Sequence, residues 1–245
     1  MEREEIITRL CECGFDTYVV GGAVRDLLRG VKPKDEDIVT SALPEQVMEL
    51  FKKQNIRTVG KSFKVVLVDG VDVATFRQDR YKGLSDKNVE ITTADTIEED
   101  LSRRDFSINS MAFCQYTGEV IDNFNGREDL KNQTIRFTGD PEKRIYEDPN
   151  RIIRACRFLC SIQGKFAPET KDALIKYSHL VDTHVSNNRI LVEIIKALSI
   201  PKTSIFFQAL HEIGALQYIF PSLDKCFGLD GGGHHKETLD VHNLI

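Results

Sequence analysis

Asp35 and Asp37 are separated by one residue and followed by Ile38-Val39-Thr40, so on a strand both carboxylates point to one face. Two carboxylates on one face repel unless a cation lies between them, and oxygen-only donors suit magnesium. Just upstream, the β-rich run Tyr18-Val19-Val20 is broken by Gly21-Gly22, and Ala23 to Arg29 then reads as a helix that Gly30 stops. A strand that feeds two glycines and a helix start exposes backbone N–H groups suited to a phosphate. Alone, either motif is usually a solvated turn. Together they describe metal-dependent nucleotidyl transfer, in which two metals clamp the attacking hydroxyl and the leaving pyrophosphate.

Three further groups have residue types fit for the same chemistry. Asp72 interrupts the apolar alternation of Val71-Asp72-Val73-Ala74-Thr75-Phe76 and faces either water or a metal. Arg103-Arg104-Asp105 reads either as a salt-bridged turn or as guanidinium groups that fork onto phosphate, with Asp105 and Asn109 able to bond a ribose hydroxyl. Glu147 and Arg151 form at least an ordinary i,i+4 ion pair. A second reading is chemical: Arg151 can donate to N3 of cytosine or N1 of adenine while Asp148 accepts from the amino group of either base. Uracil and guanine present the reverse pattern. Arg154, one helical turn on, is a helper on the same side.

In this order, Gly-Gly-Ala-Val-Arg-Asp (21–26), Asp-x-Asp (35–37), Arg-Arg-Asp-Phe-Ser-Ile-Asn (103–109) and Glu-Asp-x-x-Arg (147–151) resemble the tRNA nucleotidyltransferases (CCA-adding enzymes) of the bacterial and eukaryotic class and the related bacterial poly(A) polymerases. These lie within the DNA polymerase beta-like nucleotidyltransferase superfamily. The resemblance implies two magnesium ions on Asp35 and Asp37, with Asp72 as a third acid. It also implies a triphosphate held by Gly21, Gly22 and Arg25, and a sugar and phosphate pocket shaped by Arg103, Arg104, Asp105 and Asn109. Asp148 and Arg151 become the amino-acid template for CTP and ATP, with Glu147 orienting Arg151. Ser107 stands where the family has threonine, and Asn125 where it usually has glycine; asparagine also tolerates left-handed backbone.

These residues need elements to hold them. Glu2 to Cys13 carries a helical apolar stripe ended by Gly14, and Pro44 to about Lys53 reads as a second helix with Val47, Met48, Leu50 and Phe51 inward. Ile56–Gly60, Lys64–Asp69 and Val71–Phe76 read as strands, the last two joined at Asp69-Gly70. Gln78 to about Glu99 loses its period and reads as a long polar loop; by the resemblance, a flexible loop here helps switch nucleotide specificity, though Lys82 to Asp86 replaces the usual Arg-x-Pro element. Met111–Gln115 and Glu119–Ile121 read as a hairpin, with a helix starting after Asp122. From Arg144 the pattern is helical, including 168–178, 187–198 and 203–211. The expectation is an α+β protein: a polymerase-beta-like head with a mixed sheet of about five strands over residues 1–139, an all-helical neck over 140–200, and the start of a helical body over 201–245.

The chain has 245 residues, 41% hydrophobic and 29% charged, enough for one or two domains. Its net charge of −5 excludes a uniformly basic nucleic-acid binder but not a local basic surface such as Arg25, Arg29, Lys32 and Lys34. No apolar run approaches membrane-spanning length and Met-Glu-Arg-Glu-Glu is no signal peptide, so a cytoplasmic location with no membrane partner is expected. The six cysteines lack zinc-like spacing and read as buried free thiols. His234, His235, Asp240 and His242 hint at a metal site that no second His-Asp pair completes, and the chain ends at Ile245 within an apolar pattern, as a fragment would.

The reaction expected is attack of the 3′-hydroxyl of a tRNA on the α-phosphate of CTP or ATP. Within the same chemistry an adenosine-only finisher, a CC-only adder and a poly(A) polymerase remain open. From another class, a non-catalytic RNA-binding module could retain the fold.

Overall fold

The computed structural model describes residues 1–33, 37–59, 64–84, 89–230 and 238. Two compact units result: the first runs from Met1 to Lys82 and resumes to end at Asp129, and the second comprises the short segment that starts at Gly83 and the chain from Leu130 onward. Among the described residues, no helix is long and apolar enough to cross a membrane.

The first unit is built from α1 (Arg3–Glu12), β1 (Thr17–Val20), α2 (Gly22–Leu28), β2 (Ile38–Thr40), α3 (Pro44–Leu50), β3 (Ile56–Val59), β4 (Val65–Val68), β5 (Val71–Thr75), β6 (Arg77–Tyr81), β7 (Val89–Thr93), α4 (Ile97–Ser102), β8 (Ala112–Phe113) and β9 (Val120–Ile121). Helix α5 (Gly126–Lys131) spans the boundary. The mixed sheet has seven strands rather than about five, in the order β3-β4-β5-β2-β1-β8-β9, with β2 and β5 parallel and the other neighbours antiparallel.

Period-2 alternation sorts the sheet's side chains into two cores. Val19, Ile38 and Val73 join Ile6, Leu10, Val24, Val47 and Phe51 of the helices on one face. Val20, Val39 and Ala112 join Phe76, Ile97 and Leu101 on the other, where Tyr18 and Ala74 also pack. The β4–β5 turn is made as the sequence demands: Asp69 and Gly70 have φ of 50° and 89°, the left-handed pair that suits a two-residue hairpin.

The expected loop after Gln78 is corrected. Arg77–Tyr81 and Val89–Thr93 pair antiparallel over five residues as a separate ribbon. In β6, Arg-Gln-Asp-Arg-Tyr has no apolar alternation to mark it, and in β7 the alternation is confined to Val89-Glu90-Ile91-Thr92.

The second unit contains β10 (Thr134–Ile135), α6 (Pro141–Glu147), α7 (Asn150–Ile162), β11 (Lys165–Phe166), α8 (Pro168–Tyr177), α9 (Leu180–His184), α10 (Asn187–Leu198), α11 (Ser204–Glu212), α12 (Leu216–Ile219) and α13 (Pro221–Asp224). Helices α10 and α11 pack against α7, which is buried along most of its length. The unit is not all-helical, since β10 and β11 pair in parallel. That pairing depends on Gly164, where a Cβ would fall 1.9 Å from the Gln133 carbonyl oxygen. The thiols also differ from expectation: Cys156 and Cys160 are buried, but Cys13 is exposed and Cys11, Cys114 and Cys226 are intermediate. His234, His235, Asp240 and His242 lie outside the described residues.

Candidate functional site

In the first unit, strand β2 opens at Ile38, one residue past Asp37, and Asp35 lies outside the described residues. Ile38 pairs with Val73 across the parallel β2–β5 ladder. Asp37 and Asp72 each precede that pair by one residue, so the register sets them side by side on the face opposite Ile38 and Val73. Both are exposed. The register thus brings Asp72 to Asp37, a proximity that the alternation pattern alone left open. Their donor set is oxygen only, which fits a hard divalent cation. Among the described residues, no group of three or more His, Cys, Asp or Glu side chains could hold a metal.

At the glycine turn, helix α2 opens at Gly22. Gly21 has φ 70° and ψ −130°, and its N–H donates to the Met111 carbonyl at 3.2 Å, so it is not open to an anion. The first-turn N–H groups of α2, at Gly22, Ala23 and Val24, are ones that a helix leaves without an intrahelical partner. Gly21 instead gives room: a Cβ there would lie 3.0 Å from Arg104 Nη1.

The two glycine- and arginine-bearing motifs meet across 84 residues, where Arg25 Nη1 donates to Asn109 Oδ1 at 2.8 Å. Asn109 Nδ2 in turn donates to Asp105 Oδ1 at 3.3 Å, and the same oxygen accepts the Phe106 N–H at 2.9 Å. Asn109 closes a single 3-10 turn, Ser107–Asn109, that rests on Gly126; a Cβ at Gly126 would fall 2.3 Å from the Ser107 carbonyl oxygen. Neighbouring Asn125 has φ 57°, the left-handed backbone expected of it.

Arg103 and Arg104 are organised by a residue that the sequence did not single out. Asp100 sits on α4, which Thr96 caps, and its side chain is fully buried. Its Oδ1 accepts from Arg103 Nε and Nη2 at 3.0 and 2.8 Å and from the Arg77 N–H at 3.2 Å. Its Oδ2 accepts from Arg104 Nε and Nη2 at 3.3 and 3.0 Å. Burial pushes the Asp100 carboxyl up, but the two guanidiniums outweigh it and hold the group below its ordinary range. Arg103 also reaches Asp79 of the β6–β7 ribbon at 3.4 Å, and Arg77 lies 3.3 Å from the same carboxylate. Burial, followed by the charge of Arg103, lowers the pKa of Arg77. In sequence, Asp100 looks like one more acid of a helix's first turn after Glu98 and Glu99.

In the second unit, Asp148-Pro149 forms the corner between α6 and α7. Arg151 and Glu147 are buried, at 6% and 8% exposure. Arg151 Nη1 donates to Glu147 Oε2 at 2.9 Å and to the Arg144 carbonyl at 2.8 Å, while Arg144 Nη1 reaches the same Glu147 oxygen at 2.8 Å. Glu147 therefore grips Arg151, as the spacing suggested. Asp148 is gripped from α10: Arg189 Nη1 and Nη2 donate to its Oδ1 and Oδ2, each at 2.9 Å. Arg154 reaches Glu193 of α10 at 3.5 Å, and Arg157 bonds the same carboxylate. Sequence reasoning missed Arg189 because 41 residues separate it from Asp148 and it reads as one more polar position of a periodic helix.

Two family models match the chain: the Poly A polymerase head domain over residues 17–136, and the Probable RNA and SrmB-binding site of polymerase A over residues 165–227. Poly(A) polymerase I of Salmonella typhi is 35% identical over 93% of this chain and 51% of its own length. The CCA-adding enzyme of Geobacillus stearothermophilus is 40% identical over 87% of this chain and 53% of its own length. Among solved structures, the Bacillus stearothermophilus CCA-adding enzyme in complex with CTP superposes with a TM-score of 0.81 at 36% identity, covering 93% of this chain and 57% of that one. The chain spans about half the length of these curated relatives.

Proposed function

Because the chain belongs to the family of CCA-adding enzymes and bacterial poly(A) polymerases, we propose that it is a nucleotidyltransferase that adds CMP and AMP from CTP and ATP to the 3′ end of tRNA without a nucleic-acid template. The observation that carries this reading is the corner between α6 and α7. There a donor, Arg151, and an acceptor, Asp148, are each held by an opposite charge three or more residues away. Such a pair matches the ring nitrogen and amino group shared by cytosine and adenine, and mismatches uracil and guanine.

Asp37 and Asp72, with Asp35, would hold magnesium. Bound there, the ion supplies Lewis-acid stabilisation of the attacking and leaving oxygens. Arg103 and Arg104, aimed by Asp100, and Arg25, tethered to Asn109, provide positive charge for the triphosphate. Arg151 donates to the base ring nitrogen and Asp148 accepts from its amino group, so together they select the base.

A second reading, addition of adenosine alone to RNA ends, is favoured by the poly(A) polymerase relative that matches 93% of the chain. Incorporation of labelled CTP and ATP onto tRNAs ending before CCA, after C and after CC separates the two, with Asp37→Ala as control. Sequential C, C, A addition that the substitution abolishes supports the proposal. Adenosine addition that ignores the tRNA end supports the second reading. Nucleotide-independent RNA binding with no incorporation and no magnesium-dependent CTP binding would leave only a binding module.

A further inference from the structure

Asp148 has four acceptor positions as a carboxylate, two on each oxygen. Oδ1 takes the Asn150 N–H at 3.1 Å and Arg189 Nη1 at 2.9 Å. Oδ2 takes Arg189 Nη2 at 2.9 Å. Among the described residues, three positions are thus filled, and one remains, on Oδ2. The Asp148 side chain is 14% exposed.

We propose that Arg189 is a specificity-determining positioning residue. Its two-pronged bond fixes the plane of the Asp148 carboxylate, so that the group offers a base one acceptor in one direction and no alternative. The inference rests on the reading of Asp148 as the acceptor for the cytosine or adenine amino group.

The geometry makes this more than a helix-to-helix brace. A parallel pair of N–H···O bonds defines both the position and the rotation of a carboxylate, which a single point charge does not. A carboxylate free to rotate about its Cβ–Cγ bond points its open lone pair off the base edge for most of its time. It then loses affinity for bases that donate there, while bases that never used it lose nothing. Removal of Arg189 should therefore narrow the difference between cytosine and uracil rather than weaken all nucleotides equally. The rest of α10 braces α7 by other means, through Ile190 and Ile194, both buried, and through Glu193.

The test is equilibrium binding of CTP and UTP, with magnesium, to the 245-residue chain and three variants. Arg189→Gln should lower the CTP-over-UTP preference about tenfold, chiefly by weakening CTP, because a bond to a charged group is lost as an orienting constraint. Arg189→Lys, which retains the charge but not the fork, should restore only part of the preference. It also carries the test should Arg189→Gln fold poorly. Ile194→Ala loosens the same helix packing without touching Asp148, and should lower thermal stability while leaving the preference in place. Should Arg189→Gln and Arg189→Lys both keep the wild-type preference, the inference is overturned while the base-reading proposal stands. Should the wild type itself bind CTP and UTP alike, the base-reading proposal falls first and the role of Arg189 with it.

Discussion

The two units hold their charged side chains in opposite ways. In the first, a single buried carboxylate, Asp100, gathers Arg103 and Arg104 and also takes the Arg77 N–H. In the second, the donor and the acceptor at the corner between α6 and α7 are held by different counter-charges: Glu147, which also takes Arg144, for Arg151, and Arg189 for Asp148. A phosphate chain needs positive charge gathered in one place, and one buried acid can aim several guanidiniums at once. A base edge needs a donor and an acceptor fixed independently, because an error in either misreads the base. The convergent arrangement therefore fails as a whole, whereas the divided one fails in parts.

Removal of the hub tests this most severely. Asp100→Ala leaves two guanidiniums facing each other around a buried gap, and breaking a buried ion pair on one side typically costs about 3–5 kcal/mol. Urea unfolding should show a loss of that order in the first unit, and triphosphate affinity should fall for CTP, ATP and UTP alike. A loss confined to one base would contradict the convergent picture.

Next in size come two glycines where backbone rests on backbone, one in each unit. Gly126→Ala places a methyl 2.3 Å from the Ser107 carbonyl oxygen, and Gly164→Ala places one 1.9 Å from that of Gln133. Overpacking of this kind costs about 1–3 kcal/mol. The consequences should differ. Gly126 supports the turn that carries Asn109, so its substitution should also release Arg25 and weaken nucleotide binding. Gly164 supports only the β10–β11 pairing, and its substitution should lower the melting temperature with base preference retained. Equal effects on binding would blur the comparison.

Of the same order is Glu147→Gln, expected to cost about 1–3 kcal/mol by weakening a buried charged hydrogen bond to Arg151. Its signature should be a reduced preference for CTP over UTP at nearly unchanged affinity for inorganic triphosphate, measured by competition.

How much of this was legible in the sequence follows the distance over which each device acts. The glycine turn, the Asp69-Gly70 hairpin, left-handed Asn125 and the Glu147–Arg151 pair are local, and spacing alone exposes them. Arg189 acts across 41 residues and belongs to a helix whose apolar period explains every other position, so nothing in the pattern marks it. Asp100 is disguised by its acidic neighbours, since an acid in a helix's first turn already has a reason to be there. The β6–β7 ribbon escaped because Arg77-Gln78-Asp79-Arg80-Tyr81 has no buried face to impose alternation, and the place of Asp72 beside Asp37 needed the β2–β5 register. In the first unit local motifs were readable but their convergence was not; in the second, one of the two grips was.

The smallest effect at neutral pH distinguishes the hub by its titration. Burial raises the pKa of Asp100, but Arg103 and Arg104 lower it further, so the folded value lies below the ordinary 3.8. A carboxyl with a depressed folded pKa binds protons more readily when unfolded. Its stabilisation is fully present above the unfolded value and is lost as pH falls from there through the folded one. Urea midpoints should thus be flat in this contribution from pH 7 to about 5 and decline below about 4. Asp100→Asn, which has no charge to lose, should start from lower stability at pH 7 and decline less steeply in the acid range, so that the two curves converge. Parallel curves would mean that the guanidiniums do not depend on the charge of Asp100, and the first unit would then be no more convergent than the second.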